Sequence, residues 1–218
     1  SELLTDRTQV GDIGKNNTLL SGLVGGAIKT DRSKFKINLM HIQNGETRAG
    51  LFKRENFIRS SNVSYRDNLE YTEKSITNVL LAGEHVFGND NWNIDWRLSP
   101  TLSKINDKDV RVTPYTFEDG KYSIQPSEGG DPTRIWRELN EVNYVGKVDV
   151  TNKYNLFSNE SKLKFGASYS LKQRDYEILN YRLNVRNQST LGLTGDSNEL
   201  LDPANLWTVQ SNTGASVE

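Results

Sequence analysis

There is no cysteine in this chain, so disulfides and thiolate metal sites are excluded, although that absence does not fix a compartment. Long apolar runs are missing too. The longest candidates, such as Val79 to Ala82, fall far short of the roughly 18 residues that a membrane-crossing helix needs, and the mean hydropathy is strongly negative. Neither sign of charge dominates. The 27 Lys and Arg nearly balance the 28 Asp and Glu, for a formal net charge of −1, which leaves no argument for nucleic acid or for a polybasic membrane contact. Ser1-Glu2-Leu3-Leu4-Thr5-Asp6 is polar from the outset and does not resemble a signal peptide; a mature or truncated chain reads the same. A transmembrane β-barrel remains open, because only alternate residues of its strands meet lipid and its loops can be very polar.

Period-two alternation is what the chain does contain, and Asn143 to Leu171 states it most clearly. Tyr144, Gly146, Val148, Val150, Asn152 and Tyr154 share one face, against Asn143, Val145, Lys147, Asp149, Thr151 and Lys153 on the other. After a polar break at Asn155, Ser158 and Asn159, the apolar face resumes as Leu163, Phe165, Ala167, Tyr169 and Leu171. Side chains on a strand alternate between faces, so this stretch reads as a β-hairpin with one apolar and one polar side. Tyr144 and Tyr154 cap the apolar side about ten residues apart, which at ~3.3 Å per residue and a tilt near 45° covers roughly 25 Å. An apolar band of that height between aromatic girdles is what a lipid-facing strand presents.

The same reading along the chain predicts strands near 17–29, 34–42, 75–87, 92–104, 143–154 and 162–173. Residues 1–16 read as loop, Gln43 to Thr72 and Asn106 to Glu141 as long polar excursions, and the stretch after Leu171 as a polar tail. Short turns at Thr30-Asp31-Arg32-Ser33, at Gly88-Asn89-Asp90-Asn91 and after Tyr154 alternate with these long connections. Transmembrane barrels sort their connections in this way, with short periplasmic turns and long extracellular loops. Trp92 directly follows one short turn and Tyr154 directly precedes another, where a periplasmic girdle would lie. The expected fold class is therefore all-β, an antiparallel transmembrane β-barrel segment with long extracellular loops. About six strands cannot close, since single-chain outer-membrane barrels begin at about eight and an open edge is not tolerated in lipid. The chain thus reads as part of a larger barrel.

Candidate sites are few. His41 and His85 lie on separate strands without metal-ligand spacing and read as wall or rim residues. The charged residues from Lys53 to Glu73 read as a solvated loop face rather than a substrate contact. Glu118-Asp119-Gly120 and Glu128-Gly129-Gly130-Asp131-Pro132 lack the periodicity of a calcium loop, and turn chemistry accounts for both. Asp131-Pro132 with Ile135-Trp136 reads as a small ordered knot within a loop, Trp136 being packed rather than offered to ligand. The glycines of Asn17 to Lys29 lack the lysine and serine or threonine of a phosphate loop, and suit a strand. No nucleophile elbow or serine–histidine signature occurs, so no catalytic, cofactor-binding or metal residue is expected, and no enzyme.

Residues 39–62 (LMHIQNGETRAGLFKRENFIRSSN), 91–150 and 162–185 (KLKFGASYSLKQRDYEILNYRLNV) resemble the mid-barrel region of TonB-dependent outer-membrane receptors, of the Bacteroidota type that carries a carboxypeptidase-like regulatory domain. The resemblance covers most of the chain and includes its polar connections. It implies a barrel of about 22 strands, plugged by an N-terminal domain, that takes up scarce or large substrates with energy delivered by TonB. It also implies partners: the outer-membrane bilayer, the remainder of the barrel and plug, the TonB complex and a surface lipoprotein. This sequence contains neither a plug nor a TonB box. Two other functions compete: a non-transporting surface β-protein, such as an adhesin or glycan-binding domain, and a passive porin-type channel.

Overall fold

Alternation becomes six long antiparallel strands in the computed structural model, which describes residues 6–57 and 62–217, the side chain of Glu128 excepted. They are β1 (Arg7–Lys29), β2 (Ser33–Asn56), β3 (Val63–Phe87), β4 (Trp92–Glu118), β6 (Thr133–Leu156) and β7 (Asn159–Arg186). Two short strands join them, β5 (Lys121–Ser123) beside the end of β4 and β8 (Gly214–Val217) beside the end of β7. A one-turn helix, α1 (Pro126–Gly129), precedes β6. The long strands pair in chain order as one antiparallel sheet, and that sheet does not close on itself among the described residues.

Each expected strand lies inside an observed one, but the observed strands run much further, from 23 to 28 residues. Residues from Arg7 onward belong to β1 rather than to a loop. The expected excursion from Gln43 to Thr72 is mostly β2 and β3, leaving only 57–62 to connect them. Most of Asn106 to Glu141 is likewise strand, and β7 continues past Leu171 to Arg186. The physical reason is that polar residues interrupt the apolar face in these extensions, as Asp67 does between Tyr65 and Leu69, and Gln173, Asp175 and Glu177 do on β7. The alternation is broken there, yet the backbone ladder continues and cross-strand pairs such as Lys15–Glu46 (2.9 Å) and Arg137–Asp107 (2.8 Å) hold it. Tight turns at 30–32, 88–91 and 157–158 lie at one end of the sheet, and every other connection lies at the far end.

Register keeps the apolar residues in phase. Ile28, Phe35, Gly83, Trp96, Val148 and Ala167 stand directly opposite one another from β1 to β7. The next row, one residue along, is Ala27, Lys36, Ala82, Arg97, Lys147 and Ser168. Directly opposite residues point to the same side, so one face is apolar and the other charged. On β4 the apolar face runs from Trp92 to Leu102, which at ~3.3 Å per residue and a tilt near 45° is a band of roughly 23 Å. Above it the same face turns polar, with Gln43, Ser75, Lys104, Asn140 and Asp175 in one row.

Nothing in the described chain covers this band. Phe35 is 46% exposed, Phe165 54% and Tyr169 71%. The packed core is elsewhere, at the far end, where Tyr115, Ile124, Leu200 and Ala215 are buried with Tyr65, Tyr122, Val185 and Leu193 against them.

Within the band Gly83 lies beneath Trp96, and a Cβ added there would collide with the indole ring. The indole in turn donates Nε1–H to His85 Nε2 at 3.1 Å. Gly83→Val is expected to displace Trp96 and to cost about 1–3 kcal/mol, the range for an overpacked site. Urea unfolding of the purified protein, set against Ala82→Val on the opposite face, measures it; equal costs at the two positions would discard the packing argument.

Candidate functional site

Two regions bring functional side chains together: the charged face, and the covered far end of the sheet. On the charged face, Asp149 takes Lys147 at 2.9 Å and Lys164 at 3.6 Å, and Asp95 takes Arg97 at 3.2 Å. Further from the tight turns, Glu141 lies between Lys172 (3.1 Å) and Arg174 (2.5 Å). Asp107 accepts from Thr72 Oγ1 at 2.6 Å and faces Arg137. The cations are exposed while Asp107, Asp149 and Glu141 are mostly covered, and each pair still meets solvent on its cationic side, which keeps its net contribution modest.

The far end is built around a bulge. Pairing between β4 and β6 slips between Asp107 and Val110, where Asp109 adopts a left-handed conformation (φ 58°) that aspartate tolerates better than most residues. The slip reverses the phase of β4, so Arg111, Thr113 and Tyr115 stand on the same side as Trp96 does lower down. Asp109 accepts from Arg111 Nε at 2.8 Å and from Arg134 Nε at 2.7 Å, with a second contact from the Arg134 guanidinium. Burial raises its carboxyl, but the Arg134 and Arg111 hydrogen bonds outweigh that and hold it below the usual aspartate range. Arg134 also lies over Trp136 (5.3 Å), which packs edge-on against Tyr181.

Residues 188–217 fold over this end. Gln188 substitutes for a strand neighbour: its side-chain oxygen accepts from Ile124 N at 2.6 Å, and its amide donates to Ile124 O at 2.8 Å. Tyr115 donates its hydroxyl to Asp196 O at 2.8 Å, and burial, followed by Glu199, pushes its phenol well above the ordinary value. Glu199 gathers the backbone N–H groups of Thr194 (2.8 Å) and Gly195 (3.0 Å). Gly195 holds φ 86° against the ring of Tyr122, a place where a side chain would be both strained and crowded. A cavity of about 230 Å³ remains between this cover and the sheet, lined by Arg111, Thr113, Thr133, Arg134, Asn198 and Asp202 among others.

The residues singled out from sequence are not assembled into one site. His85 accepts from Trp96 through Nε2, which leaves the proton on Nδ1 to donate to Ser33 Oγ at 3.0 Å. His41 meets Thr77 Oγ1 at 2.8 Å. Both histidines are wall residues on different rows. The charges from Lys53 to Glu73 lie largely on strands rather than on a loop: Lys53 pairs with Glu55 (2.6 Å), and Glu73 with Lys108 (2.7 Å). Residues 58–61 of that stretch lie outside those described.

Asp119 (φ 50°) and Gly120 (φ 76°) form the two-residue turn between β4 and β5. In 128–132, Gly130 (φ 85°) ends α1 and Pro132 is buried. Trp136 is half-buried on β6, so the expected knot is a strand with α1 before it. Among the described residues no cluster of His, Asp and Glu could hold a metal ion. Sequence reasoning missed Asp109, Arg111, Arg134 and the Gln188 and Glu199 anchors. The one available signal was the change of apolar phase from Leu98 and Leu102 to Tyr115 across Asp107 to Val110.

No family model matches this chain, and no curated protein matches it.

Two carboxyls set the pH response of the cover. Burial raises Asp67, which Ser197 partly offsets and Asp196 reinforces. A raised folded value gives stability that is full below the unfolded value, near 3.8, and is lost as pH rises through the folded one. Asp109 is depressed, so its contribution is full above that value and is lost on further acidification. Amide protection across 196–201, corrected for intrinsic exchange, is expected to rise from pH 7 toward about 4 and to fall below it. A monotonic decline from neutral pH would contradict the assignment of Asp67.

Proposed function

We propose that the apolar band faces acyl chains, that the charged face lines a hydrated lumen, and that the sheet is part of the wall of an outer-membrane TonB-dependent receptor for active uptake. One observation carries the membrane part of the reading. The described residues cover the far end of the apolar face and leave bare the roughly 23 Å below it. Contiguous exposed apolar rows of that extent mark an interaction surface, and a band of bilayer height fits lipid. Charges such as Lys147 and Lys164 would cost several kcal/mol each at mid-depth in hydrocarbon, but little against water.

The outer edge of β1 has no strand beside it, and β7 meets only β8 near its end, among the described residues. In lipid such edges require partners, so further strands complete the wall on this reading. On this reading the strands reach well beyond the band, so the far end would stand outside the membrane, where ligand would be met. Active uptake through TonB rests on the family resemblance of the sequence alone. Finding a plug domain and TonB box in the parent protein would support it, and their absence would favour a passive pore. Folding of the parent as a monodisperse species without detergent or lipid would instead favour a surface β-protein that does not transport.

Because the chain has no cysteine, single thiols report sidedness cleanly. In liposomes, Ser168→Cys is expected to react with a charged, membrane-impermeant maleimide and Ala167→Cys to resist it. Reversal of that order would end the lumen assignment. Val148→Lys, at mid-band, is expected to cost about 2–4 kcal/mol in unfolding from the bilayer, against less than about 1 kcal/mol for Lys147→Gln. Comparable values at the two positions would count against lipid on the apolar side.

A further inference from the structure

Cations outnumber carboxylates on the charged face, most strongly at one end. Away from the tight turns the cations are held in ion pairs: Lys15 and Arg48 with Glu46, Arg48 also with Glu70, Arg137 with Asp107, Lys172 and Arg174 with Glu141. Near the tight turns the four rows from Lys153–Lys162 to Lys147–Ser168 hold a surplus. Lys29, Lys34, Lys36, Arg97, Lys147, Lys153, Lys162 and Lys164 share those rows with Glu84, Asp95 and Asp149, and Glu160 stands one row nearer the turn. Asp149 is taken by Lys147 and Lys164, Asp95 by Arg97, and Glu84 accepts from Asn93. Among the described residues, Lys29, Lys34, Lys36, Lys153 and Lys162 make no ion pair.

Their placement sharpens the point. Lys29 stands directly opposite Lys34, and Lys153 directly opposite Lys162. Like charges in that relation destabilise a sheet; Lys34 also has Glu84 opposite it on β3, whereas Lys153 and Lys162 have no carboxylate directly opposite. Lys34, Lys36 and Arg97 line a hollow of about 290 Å³ together with Glu84, Asp95, Asn38, Leu80 and Ala82, so cations exceed carboxylates there by one. From β2 to β6 is three strand spacings, roughly 14 Å, so one small anion cannot reach both lysine pairs at once. A wall of one sign backed by low-dielectric material concentrates ions of the other sign.

We propose that this end of the charged face attracts a soluble oligoanion, and that the cargo passing it carries several carboxylate or phosphate groups. The inference rests on the lumen reading above. The charge surplus lies on that wall, and the carboxylates beside it offset only part of it.

The test uses the whole parent protein in detergent, with hexaglutamate and tripolyphosphate as probes and neutral maltohexaose as control, followed by calorimetry. At least one anion is expected to bind and to weaken about tenfold or more as salt is raised well past the physiological range, and the neutral control is not. K29Q/K34Q/K36Q/K153Q/K162Q is expected to lose at least about tenfold in affinity, while K104Q/K108Q/K121Q keeps it. Should the fivefold variant not fold, K29Q/K34Q and K153Q/K162Q made separately carry the same comparison. Which probe binds separates a carboxylate from a phosphate cargo. Failure of both anions to bind, or equal binding by the lysine and control variants, overturns the proposal. Correct thiol labelling at 167 and 168 with no anion binding would remove the cargo inference alone, whereas reversed labelling would remove the lumen reading beneath it.

Discussion

A cross-strand register unbroken through the apolar band is the constraint on which the rest depends. Six strands present their apolar residues to one side only because each ladder is in phase with the next across the whole row from Ile28 to Ala167. A slip of one residue in any single ladder would carry Lys36 or Lys147 onto the apolar side. Tight turns help to hold that phase. The left-handed Asn89 and Asp90, and Phe157 and Ser158, reverse the chain with little slack.

A sheet with two such different faces has to resolve each of them. At the far end the chain does so itself, by reversing the phase of β4 at Asp109 and folding 188–217 over Tyr65, Tyr115 and Tyr122. The bulge therefore has two consequences. It turns Arg111 toward the cover, and it places one carboxylate between two guanidiniums where the cover meets the strand ends. Below the bulge the apolar side stays bare, and a lipid environment is the proposed resolution. The charged side is settled by ion pairs over most of its length, and by solvent and mobile ions where lysines face lysines.

The proposed receptor wall links these features to transport. On that proposal a rigid ladder would keep the lumen side fixed, while substitutions at the far end would change what is captured without disturbing register. Selection by charge along the wall and selection by shape at the far end would then act at different heights. On this view the Asp109 cluster belongs to the architecture of capture, and the lysine rows to passage.

Where alternation was strong, the residues alone located the elements: Trp92-Asn93-Ile94-Asp95-Trp96-Arg97-Leu98 and Leu163 to Leu171 could only be strands with one apolar side, and the turns followed from Gly88-Asn89-Asp90-Asn91 and its counterparts. Side-chain polarity reports burial rather than hydrogen bonding, so the polar lengths of β2, β3 and β4 were illegible as strands and read as loops. Antiparallel pairing and the division into two faces were set by local pattern. Strand length, the phase reversal at Asp109 and the meeting of Asp109 with Arg134, Tyr115 with Asp196, and Gln188 with Ile124 were decided only in the tertiary structure. Those contacts join residues 25 to 81 positions apart, and no local periodicity encodes which distant polar group a bulge will bring within reach.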